Sequence, residues 1–187
     1  MPELYIIAGP NGAGKTTAAK ILLPEMFNCK IFLNADEIAA QLNPGNVEAV
    51  ALKAGRIMLS QIEESIQKKE TFSIETTLAT RSYLQLVHKA QLQQYEVILL
   101  FFYLPLTEMA KQRVAQRVQK GGHSIPEEVI ERRYSLGIKN LTEFIEIVDF
   151  WHIYNNIETP PKKIAEGDRE GFKKIFNLDL WKKLSKE

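Results

Sequence analysis

The chain is short of cysteine, of net charge and of long apolar runs, and each shortage removes a class of protein. Cys29 is the only cysteine in 187 residues, so neither a disulfide framework nor a zinc site can be built. Lysine and arginine total 24 against 23 aspartate and glutamate, a net charge of +1. That balance gives no electrostatic case for a nucleic-acid groove or an anionic membrane as the main partner. The first apolar run is cut off by Gly9-Pro10, and no later stretch approaches bilayer-spanning length. The chain therefore reads as a cytoplasmic protein with no membrane partner. No internal repeat or low-complexity segment is present. Hydrophobic residues make up 45%, enough for one buried core, so residues 1–187 read as a single domain.

One stretch organises the rest. Gly9-Pro10-Asn11-Gly12-Ala13-Gly14-Lys15-Thr16 has a glycine, four residues and then Gly-Lys-Thr, the phosphate-binding P-loop pattern. The apolar run Leu4 to Ala8 precedes it with strand character, and Thr17 to Leu23 opens a helix. Strand, glycine-rich loop and helix N-terminus make an anion site from inward-pointing N–H groups and the helix dipole. Gly9 to Thr17 is thus the expected ATP-binding segment. Lys15 reaches the β/γ-phosphates and the Thr16 hydroxyl ligates Mg²⁺.

Further strands are expected at Ile31–Leu33, Thr71–Glu75, Val97–Leu104 and Phe150–Ile157, with an edge strand at Lys162–Ala165 and a closing helix after Arg169. Val97–Leu104 is apolar throughout, the mark of a strand buried on both faces. Helices are expected from Asp36, from Val47 to about Gln67, from Ser82 to Gln94 and from Thr107, read as the N-cap of its helix. Two more are expected at Pro126–Leu136 and Ile138–Val148, the first opened by the capping-box pattern Ser124-Ile125-Pro126-Glu127. Strands alternating with helices give an α/β class: a three-layer P-loop NTPase fold with a mostly parallel five- to six-stranded sheet and a helical lid over about 107–137. Ligands in such sheets bind beyond the carboxyl ends of the strands, which brings the P-loop, Asp36 and Glu75 to one rim.

Three groups could do chemistry there. Asp36 follows a strand next to the P-loop unit. It could accept a proton from an attacking hydroxyl and help hold Mg²⁺ through water; the competing reading is a helix N-cap. Glu75, followed by Thr76 and Thr77, offers acceptors and hydroxyls for a polar substrate, and Glu75 is the second choice of base. Arg81 lies in the same loop and is an expected substrate contact with Asp36, Glu75, Thr76 and Thr77. Arg113, Arg117, Arg132 and Arg133 flank the Gly121-Gly122 break, as a phosphoryl-transfer lid requires; the competing reading is a charged exposed helix with a Glu128–Arg132 pair. Trp151 or Tyr154 could stack on adenine, or serve as core. The strand Val97–Leu104 ends in Pro105 rather than an acid, against a motor-type ATPase, and no Asn-Lys-x-Asp guanine signature occurs.

Taken together, Gly-Pro-Asn-Gly-Ala-Gly-Lys-Thr-Thr, Asn34-Ala35-Asp36-Glu37-Ile38, Glu75-Thr76-Thr77-Leu78, Arg117 with Gly121-Gly122-His123-Ser124-Ile125-Pro126, and Arg132-Arg133-Tyr134 resemble the zeta-toxin family of P-loop kinases over about residues 4–157. The resemblance implies ATP- and Mg²⁺-dependent phosphorylation of a small hydroxylated substrate. In characterised zeta toxins that substrate is UDP-N-acetylglucosamine, phosphorylated on the sugar hydroxyl at position 3. It also implies a bacterial protein, of a family in which some members are paired with a separate antitoxin that blocks the nucleotide site. Carried over by motif, Lys15 and Thr16 bind ATP and Mg²⁺ and Asp36 is the base. Glu75 and Thr76 contact the substrate, while Arg117 and one of Arg132 or Arg133 clamp the phosphates. Two alternatives stay open from the residues alone: a small-metabolite or nucleotide kinase of another P-loop family, and a nucleotide-gated binding protein without turnover.

Overall fold

The apolar runs become a sheet whose centre is sealed from water. The computed structural model describes residues 1–26 and 28–185. Among them, β1 (Glu3–Ala8), β2 (Ile31–Leu33), β3 (Phe72–Thr76), β4 (Glu96–Tyr103), β5 (Phe150–Asn155), β6 (Lys162–Asp168) and β7 (Lys173–Ile175) pair in the order β2-β3-β1-β4-β5-β6-β7. The first five are parallel, and β6 and β7 run antiparallel. β4 sits in mid-sheet with every residue from Val97 to Tyr103 buried, as its unbroken apolar run requires.

The parallel pairs are joined by helical crossovers, which place helices on both faces: α1 (Lys15–Met26), α2 (Ala35–Leu42), α3 (Ala51–Lys68), α4 (Ser82–Leu92), α5 (Thr107–Gln119) and α6 (Glu127–Ile147). The last helix, α7 (Leu178–Ser185), packs back on the sheet through Trp181, whose indole stacks on Trp151 with centroids 5.5 Å apart. On α3, Ala54, Met58, Ile62 and Ile66 are buried at steps of four, the stripe the sequence showed. Its start is later than expected, because residues Glu48–Val50 form a tighter 3₁₀ turn first.

Several expectations change. The sheet has seven strands, not five or six. Asp168 Oδ1 accepts from the N–H groups of Glu170 and Phe172, and Gly171 adopts φ 103. That turn reverses the chain into β7, so the closing helix starts at Leu178 rather than after Arg169; its expected last two residues, 186–187, lie outside the described residues. The two helices expected across 126–148 are one, α6. Gly137 sits in its interior and faces the Thr77 carbonyl, so the glycine serves close packing rather than a break. The capping box does not form: Pro126 is the N-cap and no side-chain cap bond is present. Nor does Thr107 cap α5, which it opens behind Leu106.

Candidate active site

The carboxyl ends of β1, β2 and β3 meet on one rim. From β1 the chain turns through Gly9, whose φ of 138 is left to glycine and whose missing Cβ would lie 2.2 Å from the Phe102 carbonyl oxygen. The turn delivers Lys15 to the first turn of α1, 5% exposed. Lys15 Nζ donates to the Pro10 carbonyl (2.9 Å) and lies 3.6 Å from Glu75 Oε1. Burial pushes the ammonium below the ordinary lysine range, while Glu75 and Asp36 hold it up and Arg117 adds to the depression. The Thr16 hydroxyl donates to Glu75 Oε2 at 2.7 Å.

Glu75 is thus closer to the phosphate loop than sequence reading placed it. β3 pairs directly with β1, Ala8 beside Thr76, so the carboxylate at the end of β3 lands on Lys15 and Thr16. The Asn34 carboxamide joins it, donating to Glu75 Oε2 at 2.9 Å. Asn34 also settles the alternative role of Asp36. Asn34 is the N-cap of α2, its Oδ1 accepting from the N–H groups of Asp36 and Glu37. The Asp36 side chain is therefore not the cap.

Three adjoining cavities share these residues. One of about 380 Å³ runs along Gly12, Gly14, Lys15, Thr16 and Thr17 to Arg113 and Arg117. A second of about 470 Å³ lies between Asp36, Glu75, Thr76, Thr77 and the arginines Arg132 and Arg133, with Thr80 and Tyr83 at its far side. A third of about 350 Å³ continues from Asp36, Arg132 and Arg133 to Val47, His123 and Ile125. Asp36 lines all three. Asn11 lines the first two and is 5% exposed, with a buried Oδ1 that has no hydrogen-bond partner.

The arginines divide. Among the described residues Arg132 and Arg133 are in no ion pair, and the anticipated Glu128–Arg132 surface pair does not form. Arg117 lines the phosphate-loop cavity while donating to the His123 carbonyl (3.0 Å), which holds the Gly121-Gly122 turn. Arg113 donates to the carbonyls of Asn156 and Ile157. Arg81 does not join the site: it pairs with Glu143 and lines none of these cavities. Neither aromatic sits free for a base, because Trp151 is buried and Tyr154 stacks on Phe102 at 5.5 Å.

The helices α5 and α6, expected to form a lid, are tied to each other and to the core. Lys111 on α5 meets Glu127 (3.2 Å) and Glu131 of α6. Tyr134 donates to the Leu104 carbonyl (2.7 Å), and Asn140 to the Leu78 carbonyl (2.7 Å). Leu78 itself is buried at φ 55, with its N–H on Thr76 Oγ1. A left-handed leucine costs about 1–3 kcal/mol and persists only where its surroundings over-determine it; here they shape the loop that carries Thr76 and Thr77.

A phosphate loop, a non-capping carboxylate beside it and unpaired arginines across a cleft were the features of one family pattern. A family model described as Zeta toxin matches residues 1–160. The chain belongs to the zeta toxin family. It is 30% identical over 126 residues to an uncharacterized protein of Haemophilus influenzae, covering 67% of this chain and 88% of that one. Among solved structures it resembles the AvrRxo1-ORF1:AvrRxo1-ORF2 complex crystallised with sulphate ions (TM-score 0.78, 16% identity, 99% of this chain). It also resembles the PezAT toxin–antitoxin system of Streptococcus pneumoniae (TM-score 0.70, 18% identity, 98% of this chain and 78% of that one). The chain spans 64% of the matched AvrRxo1 chain. At such identities the two structures carry the fold alone, an α/β architecture around a mostly parallel sheet. Among the described residues no helix is long and apolar enough to cross a membrane.

Sequence reading missed Asn34, Tyr83 and Asn156 as site residues. Asn156 donates to the Ala13 carbonyl from 143 residues away, a contact with no local signal. Asn34 did have one: an asparagine two residues before an acidic helix start is a cap pattern.

Proposed function

We propose that this zeta toxin family member is an ATP-dependent phosphotransferase that moves the γ-phosphoryl group to a hydroxyl of a small acceptor. The observation that carries the reading is Asp36, a carboxylate free of capping duty where the phosphate-loop cavity meets the acceptor cavity. In this reading ATP lies along Gly9 to Thr17, with Lys15 on the β/γ-phosphates. The acceptor hydroxyl faces Asp36, which takes its proton as the oxygen attacks phosphorus in line. The P–O bond to ADP breaks as the new bond forms. Arg117, Arg132 and Arg133 neutralise charge on the transferred group, so the protein contributes positioning and electrostatics.

The donor set suits Mg²⁺. Thr16 Oγ1, Glu75 and Asp36 are hard oxygen ligands, and no cluster of three or more His, Cys, Asp or Glu side chains forms among the described residues. Mg²⁺ typically keeps several waters and takes one or two carboxylates plus substrate phosphates. Thr16 would hold it, with Glu75 or Asp36 reached directly or through water. Bound there, the ion would neutralise charge on the β- and γ-oxygens.

The acceptor we favour is a sugar nucleotide, UDP-N-acetylglucosamine, on the family resemblance; Thr76, Thr77 and Tyr83 would face it. A cytoplasmic protein partnered by an antitoxin is the corresponding cellular role, supported by the toxin–antitoxin system among the similar folds. The test is incubation with γ-labelled ATP, Mg²⁺ and a panel of acceptors including UDP-N-acetylglucosamine, with Asp36→Asn as control. Label on the sugar nucleotide, lost in the variant, is the expected result. Label on another acceptor moves the role to metabolism. Binding of ATP with no transfer to any acceptor removes the phosphotransferase reading in favour of a nucleotide-gated switch.

A further inference from the structure

The Asn34 side chain is used at both ends. Its Oδ1 accepts from the backbone N–H groups of Asp36 (2.8 Å) and Glu37 (3.4 Å), and its Nδ2 donates to Glu75 Oε2 (2.9 Å). Two N–H donors on Oδ1 and a carboxylate on Nδ2 fix the amide orientation. Glu75 Oε2 accepts in turn from Thr16, and Glu75 Oε1 faces Lys15. Asn34 is 6% exposed and lines both main cavities. One carboxamide therefore ties the first turn of the helix that carries Asp36 to the carboxylate that meets the phosphate loop.

We propose that Asn34 is a positioning residue: it sets the base Asp36 against the Glu75–Thr16–Lys15 group, beyond its role as a helix cap. The proposal rests on the phosphotransferase reading of the same site. A cap alone needs only an acceptor, which serine or aspartate supplies as well as asparagine. Only the longer carboxamide also presents an N–H donor to Glu75. Without that tie, Glu75 and α2 can shift independently, and the proton acceptor no longer keeps register with the phosphoryl group it serves.

Capping and bridging separate in two variants of the full chain. Asn34→Ser keeps a cap but stops short of Glu75. Asn34→Asp keeps the cap and sets a second carboxylate against Glu75. The charged groups facing that pair are Lys15 from the phosphate loop, Asp36 and Glu37 on α2, Arg117 on α5, and Arg132 and Arg133 on α6. Like charges in contact repel, and a carboxylate at 34 has no N–H to give Glu75, so the cap stays and the tie is lost.

The assay measures transfer from γ-labelled ATP to UDP-N-acetylglucosamine, and urea unfolding. Asn34→Ser is expected to lose about 10–100-fold in kcat with little change in KM for ATP. Asn34→Asp is expected to fall below wild type in both kcat and urea midpoint. Wild-type kcat in both variants, or an Asn34→Asp midpoint equal to wild type, overturns the proposal. If the wild-type chain transfers nothing, the phosphotransferase reading fails. The unfolding comparison then decides by itself whether Asn34 and Glu75 are tied.

Discussion

Gly137→Ala sets two opposing effects against each other. In the middle of a helix, alanine is favoured over glycine by about 1 kcal/mol, because glycine loses more backbone freedom on folding. At 137 the added Cβ would lie 2.3 Å from the Thr77 carbonyl oxygen. That atom is backbone in a loop already held by the left-handed Leu78. Ordinary contact begins near 3.4 Å, so α6 must retreat by about 1 Å. Overpacking of this kind costs about 1–3 kcal/mol. The Asn140 bond to the Leu78 carbonyl, one turn along the same face, is stretched too and is worth about 1 kcal/mol. The net expectation is destabilisation by about 1–3 kcal/mol, read as a lower urea midpoint at constant m. Arg132 and Arg133 move away from Thr77 with the helix, and misplacement by about 1 Å can cost about 100-fold in transfer. Gly55→Ala is the control. That glycine is interior to α3 with nothing within 4 Å of its missing Cβ, so the variant should gain about 0.5–1 kcal/mol. If Gly137→Ala gains stability as Gly55→Ala does and keeps full activity, close packing of α6 on the Thr77 loop is not what sets the cleft.

Two further outcomes follow from the residues on and against β5. His152 is held below the ordinary histidine range by burial and by Lys163, with Glu166 pulling the other way; its Nδ1 lies 3.3 Å from Glu166 Oε2 but without hydrogen-bond geometry. As pH falls through about 6.5, the unfolded chain takes up this proton before the folded one. Stability should therefore drop on the acid side with a slope of at most about 1.4 kcal/mol per pH unit from this group. Urea unfolding between pH 7.5 and 5.5 should show His152→Gln with a shallower acid loss than wild type; parallel curves refute it. Trp181→Ala removes the indole stacked on Trp151 and should cost about 3–5 kcal/mol with unchanged ATP affinity by calorimetry. A loss below about 1 kcal/mol would mean that α7 adds little to the fold.

The phosphate loop was legible because its physics is local. Glycines at positive φ, a preceding apolar strand and a following helix lie within about twenty residues, and their order alone makes an anion site. The central strand β4 was legible for a similar reason: an unbroken apolar run has no solvated face to offer. Helix ends were read less well. Ser124 and Thr107 looked like caps, yet the observed boundaries follow the packing of α5 and α6 on each other through Lys111 and on the core through Tyr134.

Local chain chemistry thus determined the phosphate loop, the α/β class and the candidate base Asp36. Tertiary structure alone decided which groups meet. Glu75 is 59 residues from Thr16 and 41 from Asn34, and they touch because β3 lies between β1 and β2. Gly137 looked like a helix break and proved a point of close approach, because the atom that excludes its Cβ belongs to Thr77. Arg81 shares a loop with Thr77 but turns to Glu143, a partner 62 residues away. Strand order and helix docking are fixed by burial summed over the whole core, and spacing along the chain carries no record of it.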